Sequence, residues 1–357
     1  MSSRLRTVPA RRSRLGRLLR AASLLVAAAL VPVLAGCGSS SSGTPGTATS
    51  RAGASAAGGA DLSKVVLRVG DQKGGAQALQ DAAGLLHDLP YRIEWSQFTS
   101  GPPLLEALNA QAIDTGATGD APPVFAAAQG SKIVVVAAST STPKGAAILV
   151  PKNSPITGLA GLKGRSVAVA KGSSAHYHLL AALKSAGLTF GDITPNYLQP
   201  ADALAAFKAG KVEAWVIWDP FTAIAESAAD ARVLATGEGL IGGLGFVEAS
   251  PAALADAGKA AALRDYISRL TKARLWTLGN KDAWATSWAK VAGLPQQAAR
   301  VTVDRAEQKY VPIDDRIVTD EQAEADAFHA AGLIPKKVDI ASIVDRRFND
   351  AVTAAQA

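Results

Sequence analysis

From residue 64 onward the chain alternates short apolar runs with longer stretches of helical period. Val65-Val66-Leu67-Arg68-Val69 reads as a buried strand, and the spacing that follows predicts a helix over 77–86. Next come a strand over 91–95, a helix over 103–109, a strand over 112–117, a helix over 122–129 and a strand over 133–138. Strands separated by helices of this size predict parallel βαβ units.

A second series repeats the pattern. Strands are expected at 146–150, 166–170, 193–198, 212–217, 232–235 and 244–248. A helical turn at 159–162 and helices at 175–186, 201–209 and 221–228 lie between them. After that the periodicity turns almost wholly helical, over 259–278, 281–291, 295–306 and 320–330. Two βα series with trailing helices predict an α/β fold of two lobes. Residues 63–146 with 245–357 form one and 147–244 the other, and strands 146–150 and 244–248 are the crossings. A ligand cleft is expected between the lobes, where small-molecule sites prefer to form. A single large sheet fits the same pattern.

The N-terminus breaks the periodicity. Seven arginines, at positions 4, 6, 11, 12, 14, 17 and 20, precede an apolar run over 21–35. That run is short of the roughly 20 residues of a membrane span. A basic region, a short apolar region and small residues at the exit predict an export signal over 1–36. The exit, Val33-Leu34-Ala35-Gly36-Cys37, resembles the bacterial lipobox. This predicts Cys37 as a lipidated first residue of the mature protein, and two acyl chains anchor stably. Arg11-Arg12 also admits a twin-arginine signal, with the following residues poorly matched. Residues 38–60 are Gly, Ser, Ala, Thr, one Pro and the single charge Arg51, too few apolar groups to fold. Residues 37–62 are thus expected to be the lipidated cysteine and its leash, of which the coil over 38–60 spans roughly 25 Å on average.

The signal also corrects the charge. The chain carries 37 basic and 30 acidic residues, net +7. Removing the seven signal arginines leaves 30 against 30, so the high pI is no sign of nucleic-acid binding. Cys37 is the only cysteine, which excludes a disulfide and a thiol nucleophile in the folded part. No metal-ligand spacing is present among the histidines, and no cofactor motif stands out.

The most informative local feature recurs where strands end. Thr99-Ser100-Gly101-Pro102-Pro103, Thr118-Gly119-Asp120-Ala121-Pro122-Pro123, Lys171-Gly172-Ser173-Ser174 and Trp218-Asp219-Pro220 each offer a capping residue. Three place Pro near the first helical position. In parallel sheets such turns lie at the carboxyl edge, where ligands bind. Helix N-termini there present free N–H groups and partial positive charge, so several together make an anion site without Arg or Lys. Ser173 and Ser174 add two hydroxyl donors. Each turn taken singly is also explained as a plain helix start.

Several stretches in order resemble the aliphatic-sulfonate-binding proteins (SsuA) of ABC importers. They are Val69-Gly70-Asp71-Gln72-Lys73-Gly74, Ser100-Gly101-Pro102, Ile113 to Pro123, Lys171 to His176, Ala214 to Pro220 and Ile334-Pro335-Lys336-Lys337-Val338-Asp339-Ile340. The resemblance implies a type 2 periplasmic-binding-protein fold that closes on its ligand by a hinge. It implies an extracytoplasmic monomer, lipid-anchored to the cell membrane, that serves an ABC permease and ATPase and binds a small-molecule alkanesulfonate. Ligand candidates on these motifs are Gln72, Ser100, Gly101, Gly119, Asp120, Ser173, Ser174, His176, Trp215, Trp218 and Asp219. Gln72 is read as a donor, Trp215 and Trp218 as walls for the carbon chain, and Asp120 mainly as a helix cap. Asp71 departs from the aromatic residue frequent in the family there. His176-Tyr177 resembles the taurine-binding branch, although the histidines 176 and 178 also read as a helix-surface pair. Lys73 is expected to be solvated. Taurine, nitrate or another small anion remain alternative ligands, and a desulfinase-like enzyme on the same fold the alternative class. The missing cysteine counts against the enzyme.

Overall fold

The computed structural model describes residues 61–73 and 75–357. The expected signal, Cys37 and the leash lie outside the described residues, apart from 61 and 62. Strands β1 (Val66–Gln72), β2 (Arg92–Phe98), β3 (Thr115–Gly119) and β4 (Val134–Thr140) alternate with helices α1 (Gly75–Ala82), α2 (Gly101–Asn109) and α3 (Ala121–Ala128). The second series holds β5 (Ala147–Pro151), β6 (Ser166–Val169), α4 (Ser174–Ser185), β7 (Thr194–Tyr197) and α5 (Pro200–Lys208). It continues through β8 (Ala214–Ile217), α6 (Phe221–Ala228) and β9 (Ala231–Thr236). The remainder is β10 (Leu244–Ala249), α7 (Pro251–Ala255), α8 (Ala257–Thr277), α9 (Lys281–Ala292), α10 (Gln296–Arg305), β11 (Lys309–Val311), α11 (Asp315–Ala330) and α12 (Asn349–Ala354).

The strands form two sheets, which excludes the single-sheet reading. One has the order β11-β4-β10-β3-β1-β2, the other β7-β6-β8-β5-β9. Parallel βαβ pairing holds for β1 with β2 and β3, and for β6 with β7 and β8. It fails for β10, which runs antiparallel to both β3 and β4, and for β5, antiparallel to β8 and β9. These strands enter after the chain has crossed between sheets, so they arrive from the opposite end. Residues 141–146 and 237–243 make the two crossings, and they bond to each other: Ser141 N–H donates to Gly243 O (2.9 Å) and Gly237 N–H to Ala146 O (2.8 Å). Gly243 has φ 69°, and a Cβ there would press on the Ser141 carbonyl, so only glycine fits this crossing.

Local chemistry sets the helix boundaries. Asp256 caps α8 by accepting from Lys259 N–H (2.8 Å). The helix then buries Leu263, Tyr266, Ile267, Leu270 and Ala273 at the spacing of one face, against β1 and β10. Asp314 accepts from Ile317 N–H and starts α11 at Asp315, five residues before the expected start. The short elements β11, α7 and α12 carry too little period to be read from sequence. His176 and His178 are fully buried rather than on a helix surface. The first packs among Phe125, Phe190, Tyr197 and Phe328, and the second places Nε2 3.2 Å from Thr236 O.

Candidate functional site

A cavity of about 360 Å³ lies between the two sheets. The carboxyl ends of β1 and β3 and the starts of α2, α3 and α4 line one part of it. Helices α8, α9 and α10 line the other, through Leu270, Arg274, Trp284, Trp288, Val303 and Arg305.

The helix starts are not equivalent. Asp71 is buried and fills the start of α1: its carboxylate accepts from the N–H groups of Gln72 (2.8 Å), Ala76 (3.0 Å) and Gln77 (3.1 Å). Desolvation raises its pKa, and those three N–H groups oppose the rise. Asp120 occupies the start of α3 by accepting from Ala121 N–H (2.9 Å). Asp219 does the same for α6, accepting from Ala223 N–H (3.0 Å). Burial pushes Asp219 up to about 6, with the Arg305 charge pulling the other way. The caps of α2 and α4, Ser100 and Ser173, make no side-chain bond to their helices. Their orphan N–H groups are left for another acceptor.

Both serine hydroxyls expected to meet an anion are already engaged. Ser173 Oγ donates to Ala170 O (2.7 Å), and the Ser174 hydroxyl donates to the Asp120 carboxylate across the cleft. What α4 offers an anion is therefore backbone N–H. Gly119 permits the approach, since a Cβ there would collide with the Ser174 hydroxyl. One N–H of the Gln72 amide is spent on Ala117 O (2.9 Å).

The structure brings Gln72, Gly101, Gly119, Asp120, Ser173, Ser174, Trp218 and Asp219 to the cavity wall. Three other candidates sit elsewhere. Ser100 is fully buried, and its hydroxyl donates to Gln199 Oε1 (2.8 Å) of the facing lobe. His176 accepts from Gly172 N–H through Nδ1 (3.2 Å) inside its aromatic cluster. Trp215 is fully buried against Phe207 and Phe221, on the face of β8 turned into the second lobe's own core. Lys73 is exposed, its ammonium 5.3 Å from the centre of the Phe221 ring.

Sequence reasoning missed the helical side of the cavity. Trp284 and Trp288 stack face to face with centroids 5.2 Å apart. Arg305 Nη2 donates to Glu226 (2.7 Å), tying α10 to α6, and its Nη1 lies 3.6 Å from Asp219. Arg274 makes no ion pair among the described residues, and its Nε is buried without a partner. Burial pulls this guanidinium below its ordinary value; the charges of Tyr310, Asp71 and Tyr266 act against that. A cation this poorly paired beside a cavity invites an anion. No local motif marks it, because the apolar period of α8 carries an arginine at any solvated position equally well.

Residues 101–238 match the family model described as NMT1/THI5 like. The chain is 40% identical over 286 residues to the putative aliphatic sulfonates-binding protein of Escherichia coli strain K12, covering 79% of this chain and 89% of the relative. The chain belongs to the aliphatic sulfonate-binding protein family. Two solved structures agree on this. The alkanesulfonate-binding protein SsuA from Xanthomonas axonopodis pv. citri, bound to MOPS, superposes with TM-score 0.71 at 37% identity, over 79% of this chain and 98% of that one. The periplasmic aliphatic sulphonate binding protein SsuA from Escherichia coli gives 0.69 at 39% identity, over 78% and 92%. The two-sheet architecture of this aliphatic sulfonate-binding protein family member is thus the periplasmic-binding-protein fold. No helix among its described residues is long and apolar enough to cross a membrane.

Proposed function

We propose that this chain captures aliphatic sulfonates outside the cytoplasm and hands them unchanged to the permease of an ABC importer driven by its ATPase. The observation that carries the reading is one cavity with anion-seeking groups on both sides: the starts of α2 and α4, whose caps make no side-chain bond to them, and Arg274, without an ion pair among the described residues. A sulfonate is a permanent monoanion with three acceptor oxygens, which suits backbone N–H groups and a guanidinium together. Of the sequence candidates, Gly101 is read as an N–H donor, Ser174 as offering its backbone N–H in place of its hydroxyl, and Gln72 as offering its second amide proton. The lobes, 63–146 with 245–357 and 147–244, close about the paired crossings, and the protein acts as a monomer. Binding without turnover is supported by the binding-protein relatives and by a single cysteine that lies far outside the cleft motifs.

Chain length is the discriminating test. Trp218, Trp284, Leu270 and Val303 supply an apolar wall, the role first assigned in part to Trp215. Each buried methylene contributes about 0.8 kcal/mol, so affinity should rise roughly fourfold per carbon from ethane- to hexanesulfonate. Taurine would carry its ammonium into that wall and bind more weakly. Calorimetric titration checks this, and a flat series with taurine tightest moves the ligand to the taurine class.

Anchoring is read from the sequence at Cys37. Cys37→Ala should release the folded protein from the membrane fraction of expressing cells. A variant that stays in the pellet like wild type removes the lipid anchor.

A further inference from the structure

Helix α11 buries one stripe, Ile317, Glu321, Glu324, Ala325 and Phe328, and two of its members are glutamates. Both are about 3% exposed. Neither pairs with a cation among the described residues, and Glu321 Oε1 and Oε2 and Glu324 Oε1 are buried without partners. Glu324 reaches the cavity through Asp120: the two carboxyl groups share a hydrogen bond. One of two bonded carboxyl groups must carry a proton. Asp120 already accepts from Ala121 N–H and from the Ser174 hydroxyl, so it is the acceptor and Glu324 the donor. Asp120 belongs to the first sheet's lobe and Ser174 to the second's, so this is a chain of three side chains across the cleft.

We propose that Glu324 is a positioning residue for ligand capture: its carboxyl proton holds Asp120 toward Ser174, and binding of an anion in the cavity is coupled to retention of that proton. The inference rests on the reading of the cavity as a sulfonate site. Losing the proton would leave two carboxylates in contact, buried, beside a bound anion. Opening the cleft admits water to Asp120 and makes that loss easier. Closure on an anion therefore raises the proton affinity of the pair. Among the described residues the groups packed around it are acidic or neutral, and the cations Arg274 and Arg305 line the helical side of the cavity that Asp120 borders. Glu321 lies on the same helix, and Glu248 of β10 is fully buried with Thr118 Oγ1 donating to it (2.6 Å). Tyr177 of α4 and the exposed Asp320 complete the surroundings. Desolvation raises Glu321, Glu324 and Glu248 well above the ordinary carboxyl value, in keeping with neutral acids here.

The sign follows from linkage. Affinity is constant while the free protein keeps the proton, and weakens about tenfold per pH unit once the free protein loses it and the complex does not. Sulfonates stay ionised throughout, so any dependence belongs to the protein. Butanesulfonate is titrated by calorimetry between about pH 6 and pH 9 in a cationic, sulfonate-free buffer. Wild type should weaken as pH rises. Glu324→Gln, whose amide still donates to Asp120 and has no proton to lose, should bind as wild type does at low pH and stay flat. Glu324→Ala should bind weakly at every pH, and Glu321→Gln should keep the wild-type slope. A flat wild-type profile, or a slope that survives in Glu324→Gln, overturns the proposal; the wild-type profile decides alone if the glutamine variant does not fold. If butanesulfonate binds at no pH, the ligand reading fails. The proton is then judged by infrared absorption of ligand-free protein at neutral pH. A protonated-carboxyl band abolished by Glu324→Gln upholds it, and the absence of that band overturns it.

Discussion

Arg274→Met is expected to weaken butanesulfonate binding by roughly 10- to 150-fold, the worth of a hydrogen bond from a charged donor. The residue stands on α8 at the cavity wall with no ion pair among the described residues, and its Nε has no acceptor among them. Asp71, the carboxylate within electrostatic reach, is already satisfied by three backbone N–H groups. In the absence of ligand the buried part of the guanidinium is a cost, so the variant should melt no lower than wild type. Titration beside a melting curve separates the two effects. Unchanged affinity would leave the helix starts as the whole of the anion site.

Glu321→Met is expected to stabilise the protein, and by more at higher pH. The Glu321 carboxyl lies among Phe246, Ile313, Ile317, Val318 and Ile340, with neither oxygen bonded among the described residues. Burial raises its pKa well above the ordinary value, so it stays neutral in the folded chain and ionises on unfolding. A carboxyl with a raised folded pKa contributes stability that is complete below its unfolded pKa and is lost as pH rises. The loss is about 1.4 kcal/mol per pH unit until the folded pKa is reached. Methionine has similar volume, suits an apolar wall and does not titrate. The clean window is above neutrality. There His176 and His178, held down at about 4 by burial, are neutral in both states; below their unfolded value of about 6.5 they lose stability as pH falls. Denaturant unfolding of both proteins at about pH 7 and pH 9 tests this. A destabilised variant, or a gain independent of pH, would mean that Glu321 has a partner in solution.

The alternation of strand and helix was legible along the chain because period and capping are local. Val66–Gln72 pairs with Arg92–Phe98 as a parallel βαβ unit should, and Phe221–Ala228 begins and ends where its pattern does. The turns bearing Gly101, Gly119, Asp120, Ser173, Ser174 and Asp219 were equally local, since a cap is recognised by its own neighbours. Within each sheet their placement followed from the rule that such turns share the carboxyl edge, and the meeting of the two edges at one cavity from the two-lobe pattern. What each polar atom does there was not local. Whether Ser174 donates to a ligand or to Asp120 depends on how closely two lobes approach, and Gly119 sets that distance from the far side. Trp215 and Trp218 are three residues apart, and the alternation of the strand followed by its turn sends one into a core and the other to the cavity. The glutamates of α11 sit on the buried spacing of Ile317 and Phe328, and nothing in their own neighbourhood along the chain marks a charged residue there as buried. Arg274, Trp284 and Trp288 carry no motif at all. They reach the cavity only because the C-terminal helices fold back over the first sheet, a placement fixed by packing between segments some two hundred residues apart.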